Sequence, residues 1–456
     1  MSGKFGTSGL RGLVTSMTPE LITAHVQAFL AACDTGGVLC VGRDLRPSSP
    51  RIADDVIAAA RAKGCRVIDC GAVPTPALAL AAQAVEGGAV MVTGSHIPAD
   101  RNGLKFYVRS GEISKADEAA ILAHLEADHA HTQHGTLEQD GGVNDRYVAR
   151  FVDAFGRGAL RGQRIGLYAH SAVGRDALAR ILTDLGAEVI ELGRSETFIP
   201  VDTEAVAPEV RVRITDWVKT HGLHALVSTD GDSDRPLLAD ETGRVIPGDI
   251  LGQITTETLG AETIATPISS NSGVTMKGFK DVQLTQIGSP YVIAAMENVQ
   301  GRVVGYEANG GFLLGFAAQG PAGPLAPLIT RDCTLPLLTV LYASREGGVA
   351  ARVAQEPPVV TVADRLQEVD QRKSRVLLET WQNNPTARAA FLASLGKQEL
   401  GMDLTDGLRM TLTDGDVIHV RPSGNAPELR LYIETKDPAS AEKLLTQALV
   451  QLNHAL

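Results

Sequence analysis

Three aspartates stand at alternate positions, Asp230, Asp232 and Asp234, in the segment ALVSTDGDSDRPLLAD (225–240), directly after an apolar, β-branched run. Carboxylates spaced this way at the end of a strand converge on a point where a hard divalent cation is held. The same residues begin a calcium-loop pattern, with Asp230 at position 1, Asp232 and Asp234 at 3 and 5, and Glu241 at 12. Position 6, however, is Arg235 rather than glycine, Pro236 follows, and the upstream flank reads as a strand, so the EF-hand is set aside. An Asp-x-Asp after a strand is also the arrangement of aspartyl-nucleophile phosphatases. The third aspartate fits metal holding better, and Arg235 reads as an anion partner.

A second loop lies in AVMVTGSHIPADRNGLKFY (89–107), where an apolar strand ends at Thr93 and presents Gly94, Ser95 and His96. A serine on a strand-end loop is placed to act as a nucleophile or a phosphoryl carrier. No G-x-S-x-G elbow surrounds Ser95, and His96 is its sequence neighbour, which disfavours a Ser-His-Asp hydrolase. Lys105 follows on the returning strand. Near the start, GTSGLRG (6–12) combines glycines, hydroxyls and Arg11, a planar cation suited to phosphate. VGRDLRPSS (41–49) is a further strand-end loop with paired arginines and hydroxyls.

Two later loops complete the set. VVGYEANGGF (303–312) presents Glu307 and Asn309, polar groups of the kind that bind vicinal hydroxyls. VRPSGNAPELRLYIE (420–434) presents Arg421, Ser423, Gly424, Asn425 and Arg430 between two strands, a cradle for a dianionic phosphate.

The elements that must position these loops follow an alternating pattern. Over the first 350 residues or so, short Val/Ile/Leu runs alternate with Ala/Leu-rich amphipathic stretches, the βαβ texture of α/β domains. An internal echo supports related units: ADDVIAAARAKGCRVIDCG (53–71) and RDALARILTDLGAEVIELG (175–193) share a helix, a glycine, a Val-Ile-acid strand and a second glycine. A third unit is expected from near Gly248, where ILGQITTETL leads into ETIATPI. Beyond Pro357-Pro358 the texture changes to alternating strands, RMTLTD, VIHVRPSG and LRLYIET, closed by the amphipathic SAEKLLTQALVQL, which predicts a smaller α+β unit with an antiparallel sheet.

Composition narrows the function classes. The 456 residues carry 42 Lys+Arg against 53 Asp+Glu, a net charge of −11, which argues against a general nucleic-acid binder. Apolar residues are 44% and charged residues 21%, ordinary globular usage, while aromatics are only 4%, so the core is built from aliphatic side chains. No apolar run reaches the roughly 18–20 residues a membrane span needs, and the start lacks the apolar stretch of a signal peptide. The five cysteines, Cys33, Cys40, Cys65, Cys70 and Cys333, show no metal spacing and read as buried free thiols. A cytoplasmic protein without membrane or nucleic-acid partners is expected.

These motifs, in this order, resemble the α-D-phosphohexomutase family of phosphoglucomutases, phosphomannomutases and amino-sugar mutases, over essentially the whole chain. The resemblance implies three related α/β domains with mixed sheets plus a smaller C-terminal α+β domain around a central cleft, divided here at 1–150, 151–247, 248–365 and 366–456. It implies conversion of glucose or mannose 1-phosphate to the 6-phosphate through a phosphoserine and a hexose 1,6-bisphosphate, in a monomer or homodimer. By the same resemblance Ser95 carries the phosphoryl group with His96 beside it. Mg²⁺ is held by Ser95, Asp230, Asp232 and Asp234, and Lys105 and Arg11 assist proton transfer. Arg235 lies near the substrate, Glu307 and Asn309 grip sugar hydroxyls, and Arg421, Ser423, Gly424, Asn425 and Arg430 hold the non-reacting phosphate.

Some positions depart from the family pattern. Asn309 and Gly311 stand where many members have serine and histidine, Gly94 where alanine is usual, Ile97 where asparagine is usual, and Asn425-Ala426 where many have Thr-Glu. Glu-Ala-Asn-Gly resembles the sugar loop of some N-acetylglucosamine mutases, which keeps an amino-sugar substrate open. A phosphatase and a non-catalytic phosphosugar-binding relative are the readings outside the class.

Overall fold

The computed structural model describes residues 4–6, 9–125, 134–423 and 427–456; Gly424 and Asn425 of the expected phosphate cradle lie outside them. Three mixed sheets succeed one another along the chain, followed by an antiparallel one. In the first, Val38–Arg43 is central and parallel to both Arg66–Ala72 and Gly88–Val92, and Arg101–Val108 returns antiparallel beside Gly88–Val92. Gly9–Leu13 extends the sheet beyond Arg101–Val108.

The second and third sheets repeat that plan. Arg164–Tyr168 lies between parallel Glu188–Leu192 and Ala225–Thr229, and Pro236–Ala239 returns antiparallel. Thr263–Pro267 lies between parallel Asp281–Thr285 and Val303–Tyr306, and Phe312–Leu314 returns antiparallel. The third parallel strand of each unit (GAVMV, ALVST, VVGY) is buried at every residue, as a strand covered by helices on both faces must be.

This repetition positions the chemistry. Ser95, the three aspartates and Glu307 each occupy the turn between the third parallel strand and its antiparallel return. Three equivalent loops therefore emerge from equivalent sheet ends.

The echo seen in the sequence is the helix–strand pair of the first two units. Ser49–Ala62 buries Ile52, Ala53, Val56, Ile57, Ala59 and Ala60 on one stripe, and Arg175–Asp184 buries Ala177, Leu178, Ile181 and Leu182. Gly64 (φ 77°) and Gly186 (φ 91°) end them in the left-handed conformation that glycine adopts without strain.

In the last sheet, Val360–Gln367, Glu428–Thr435, Val417–Pro422, Leu408–Leu412 and Glu399–Asp403 pair in that order, all antiparallel. Leu408, Met410 and Leu412 are buried while their neighbours are half-exposed, the alternation of a sheet with one covered face. The helix Pro438–Ala455 packs against this sheet, its start fixed by the Asp437 side chain accepting from the Ser440 N–H and by proline in the first turn. The cuts expected at 150 and 365 fall inside the helix Val143–Phe155 and the strand Val360–Gln367. Val360–Gln367 pairs along its whole length with Glu428–Thr435, so its residues belong with the last sheet; the Pro357-Pro358 pair, not the later change of texture, precedes that strand.

The core is divided unequally. One buried cluster runs continuously through the first three units, from Cys40 and Tyr107 through Ile165 and Val227 to Phe312 and Leu335. The last unit has its own cluster, around Trp381, Met410, Leu431 and Leu445. Polar contacts tie it to the third unit: Asn271 Nδ2 donates to Thr361 Oγ1, Ser272 N–H to Glu434, and Ile287 N–H to Asp406.

Candidate active site

Ser95 follows the buried strand Gly88–Val92 and sits at φ 54°, a left-handed conformation that costs a non-glycine residue energy and needs outside support. Arg46 supplies it. Its Nη1 donates to the carbonyls of Pro98 and Arg101 (2.7 and 2.9 Å), its Nη2 to those of Ser95 and Ile97 (2.9 and 2.5 Å), and its Nε to Asp44 (3.2 Å). All five donors of the buried guanidinium are thus spent, four of them on the Ser95 loop. A Cβ on Gly94 would lie 2.6 Å from Cζ of Arg46, which accounts for the bare position next to Ser95. The Ser95 N–H donates to Thr93 Oγ1 at 2.8 Å.

The Ser95 hydroxyl donates to Asp230 Oδ2 at 2.5 Å, joining the loops of the first two units. Asp230, Asp232 and Asp234 are fully buried, and one oxygen of each lies within 4.8 Å of the others. Lys105 Nζ bridges Asp232 (2.5 Å) and Asp234 (2.6 Å), and Thr75 Oγ1 donates to Asp232 at 2.7 Å. Burial alone would raise the Asp232 carboxyl, but Lys105 overrides it and holds the group below the usual range. Asp230 goes the other way, raised by burial and by the charges of Asp232 and Asp234.

This donor set fits a divalent cation. Three carboxylates disfavour one another's charge, and among the described residues Asp232 Oδ1 and Asp234 Oδ1 are buried without a hydrogen-bond partner. An all-oxygen site of this kind suits Mg²⁺.

Around the carboxylates stands a ring of cations. Arg11 lies on Gly9–Leu13 opposite Gly103, on the same side of the sheet as Lys105. Burial, with Arg235 and Arg331 close by, lowers its guanidinium to about 10. Arg235 Nη1 donates to His96 Nδ1 at 3.1 Å, and the Ser95 hydroxyl lies 3.2 Å from the same nitrogen. Burial and Arg235 push His96 down to about 3, so the imidazole is neutral and accepts at Nδ1.

The third loop closes on this cluster through a residue that sequence reasoning missed. Arg331 pairs with Asp234 (3.0 Å) and Glu307 (3.2 Å), so Glu307 joins the Ser95 group by way of an arginine from the strand Leu328–Asp332. Asn309 turns its side-chain oxygen inward to accept from the Gly311 N–H at 3.0 Å, and its carbonyl accepts from Thr203 Oγ1 at 3.4 Å. Asp202 and Glu204, on that same loop of the second unit, were also missed. Asp202 interacts electrostatically with His96 and Arg235, and Glu204 with Arg235, Arg430 and Glu307. No signal in the loop's own sequence marked them. For Arg331 the only signal was an arginine–aspartate pair at a strand end.

The described residues expected in the phosphate cradle, Arg421, Ser423 and Arg430, lie on or beside two strands of the last sheet. Arg421 pairs with Asp406 (3.1 Å), Arg430 with Glu428 (3.4 Å), and the Ser423 N–H donates to the Glu428 carbonyl (2.8 Å). Arg421 and Arg430 face each other across adjacent strands. Two like charges in that position repel, a cost that an anion between them removes.

Comparison with known proteins fixes the kinship. Residues 2–132 match the family model for phosphoglucomutase/phosphomannomutase α/β/α domain I, 145–243 that for domain II, and 349–449 that for the C-terminal domain. A phosphomannomutase of Sinorhizobium fredii is 42% identical, with all of both chains covered. The chain belongs to the phosphoglucomutase/phosphomannomutase family. A phosphomannomutase of Salmonella muenchen is 40% identical over 99% of this chain and 96% of its own.

As a member of that family, the chain is a phosphohexomutase, an isomerase that moves a phosphoryl group within small phosphosugars. Its fold is shared with a family protein from Burkholderia thailandensis (TM-score 0.80, 20% identity, 98% of this chain and 97% of that one). A Thermus thermophilus structure titled as a putative phosphomannomutase gives TM-score 0.79 at 20% identity, over 99% of this chain and 100% of that one. Among the described residues no helix is long and apolar enough to cross a membrane.

Proposed function

We propose that this phosphohexomutase interconverts mannose 1-phosphate and mannose 6-phosphate, with glucose phosphates as the second substrate pair, and that Ser95 is the phosphoryl carrier. The observation that carries the reading is the 2.5 Å contact between Ser95 Oγ and Asp230, beside a lysine lodged between Asp232 and Asp234. Names of the 42% and 40% identical relatives support mannose as the sugar; a phosphoglucosamine mutase of Symbiobacterium thermophilum stands further off, at 28% identity.

In this reading Asp230, Asp232 and Asp234, with phosphorylated Ser95, hold Mg²⁺, which when bound neutralises charge on the transferring phosphoryl group. The protein's own groups do the rest. Arg46 aims Ser95 by its loop carbonyls, and Glu307 and Asn309 orient the sugar hydroxyls. Arg421, Ser423 and Arg430, with Gly424 and Asn425, hold the distal phosphate.

The free sugar hydroxyl attacks phosphorus, a P–O bond to the sugar forms, and the bond to Ser95 Oγ breaks. The proton that the sugar hydroxyl gives up ends on the released Ser95 Oγ, and Lys105 and Arg11, both cations, assist that transfer by holding the charge that develops between the two oxygens. The resulting hexose 1,6-bisphosphate turns end for end, and its other phosphoryl group returns to Ser95. A cradle on a unit with its own core suits this step, because it must accept either phosphate of the sugar in turn.

We assign the loops to four units that enclose a cleft, the last beginning at the strand Val360–Gln367, and place the enzyme in the cytoplasm. The test is kcat/KM for the 1-phosphates of mannose, glucose, glucosamine and N-acetylglucosamine with catalytic hexose 1,6-bisphosphate. Highest activity on mannose 1-phosphate is expected. A preference for either amino sugar would overturn the substrate assignment, and steady phosphate release without isomerisation would overturn the mutase mechanism.

A further inference from the structure

Arg331 is 3% exposed and leaves the strand Leu328–Asp332 beneath the loop 307–311. Its Nη2 lies 3.0 Å from Asp234 Oδ2 and its Nη1 3.2 Å from Glu307 Oε2. Those carboxylates belong to turns of different sheets, Asp234 between Ala225–Thr229 and Pro236–Ala239 and Glu307 between Val303–Tyr306 and Phe312–Leu314. One planar fork therefore spans two loops, each on its own nitrogen, which a lysine ammonium cannot do with the same geometry.

The stem of Arg331 explains Gly311. A Cβ there would lie 2.7 Å from both Cδ and Cγ of Arg331 and 3.0 Å from its Cβ. Gly311 is not among the residues at positive φ, and the three atoms nearest to a Cβ there all belong to the Arg331 stem. The surrounding turn is tightly tied, with the Gly310 N–H donating to the Glu307 carbonyl (2.9 Å) and the Glu307 N–H to the Gly311 carbonyl (3.2 Å). Gly310 itself packs against Pro236, two residues past Asp234.

We infer that Arg331 is a positioning residue that couples the grip of Glu307 on the sugar to the metal-holding geometry of Asp234, and that Gly311 is bare so that the arginine can pass. This rests on the roles given to Glu307 and Asp234 above. A change that releases Arg331 should weaken both ends together: Glu307 loses its arginine, and Asp234 Oδ2 is left with Lys105, which pulls it toward Asp232.

The test uses three variants of the full chain, Arg331→Lys, Gly311→Ala and the double variant Arg331→Ala/Gly311→Ala, with Arg331→Ala as reference. Mn²⁺ binding is titrated by electron paramagnetic resonance, and KM and kcat are measured for mannose 1-phosphate. Arg331→Ala is expected to raise both the Mn²⁺ Kd and the KM by about 10–100-fold, the usual scale for removing a partner of a metal ligand. Arg331→Lys, which keeps the stem and the charge, should fold and show the same paired shift at smaller size.

Gly311→Ala should reproduce the shift without removing any charge, and should add nothing in the Arg331→Ala background, where the clash is gone. A merely structural role would lower Tm and yield while leaving Kd and KM of the folded protein unchanged, and that result overturns the inference. So do additive effects of the two substitutions. Wild-type protein that binds no Mn²⁺ and turns over no sugar phosphate overturns the site reading and the inference with it.

Discussion

Arg46→Lys separates support of the Ser95 loop from chemistry at Ser95. The guanidinium spends four N–H groups on the carbonyls of Ser95, Ile97, Pro98 and Arg101 and one on Asp44. A lysine offers three donors from one point, so at least two of these five acceptors lose their partner. The contacts to Ile97, Pro98 and Arg101 are only part-buried, so two lost partners cost at the lower end of about 1–3 kcal/mol each, about 2 kcal/mol in total. At about 2–4 °C per kcal/mol for a unit of this size, that lowers Tm by about 4–8 °C.

The same loss loosens a residue held at φ 54°, and about 2 kcal/mol of lost orientation is about 30-fold in rate. Differential scanning calorimetry and steady-state kinetics on the soluble variant measure the two effects. A variant with wild-type Tm and wild-type kcat/KM would show that the carbonyl contacts do not hold the loop.

Asp230→Asn keeps the shape beside Ser95 Oγ but removes one of three converging charges. It should lower kcat on the order of a thousandfold, and a chelator should abolish wild-type activity that added Mg²⁺ restores. Arg421→Ala and Arg430→Ala should each lower kcat/KM by about 10–100-fold, from loss of a charge-assisted hydrogen bond to phosphate, and leave Mn²⁺ affinity unchanged. Asp249 is raised to about 7 by burial, helped by Glu434, although its oxygens accept from the N–H groups of Asn271 and Ile250. A carboxyl raised in the folded state contributes stability that is full below about pH 4 and is lost as pH rises through about 7. Wild-type Tm should therefore fall over that window relative to Asp249→Asn; parallel Tm curves would contradict this.

Much of the site was legible because its groups are close in sequence. Asp230, Asp232 and Asp234 share one turn, Ser95 stands at the end of an obvious strand, and the helix–glycine–strand echo announced the repeated units. What escaped notice depends on tertiary approach. Arg331 meets Asp234 from nearly a hundred residues away, and its partners were set by the pairing of Leu328–Asp332 with Phe312–Leu314. In the sequence Gly94 and Gly311 stood out only as departures from the family pattern. In the fold both are spaces filled by arginines, the Arg46 guanidinium at one and the Arg331 stem at the other. The cut expected at 365 falls inside the strand Val360–Gln367, whose residues are half-exposed or exposed throughout and so form no apolar run in the sequence.

The phosphoserine role of Ser95 is tested most directly by intact-mass analysis after exposure to hexose 1,6-bisphosphate, followed by a chase with mannose 6-phosphate. Wild-type protein should gain the mass of one phosphoryl group, mapped to Ser95, and lose it to the sugar in the chase, while Ser95→Ala should gain none and show no turnover. Label on another residue, or near-normal conversion by folded Ser95→Ala, would contradict the mechanism.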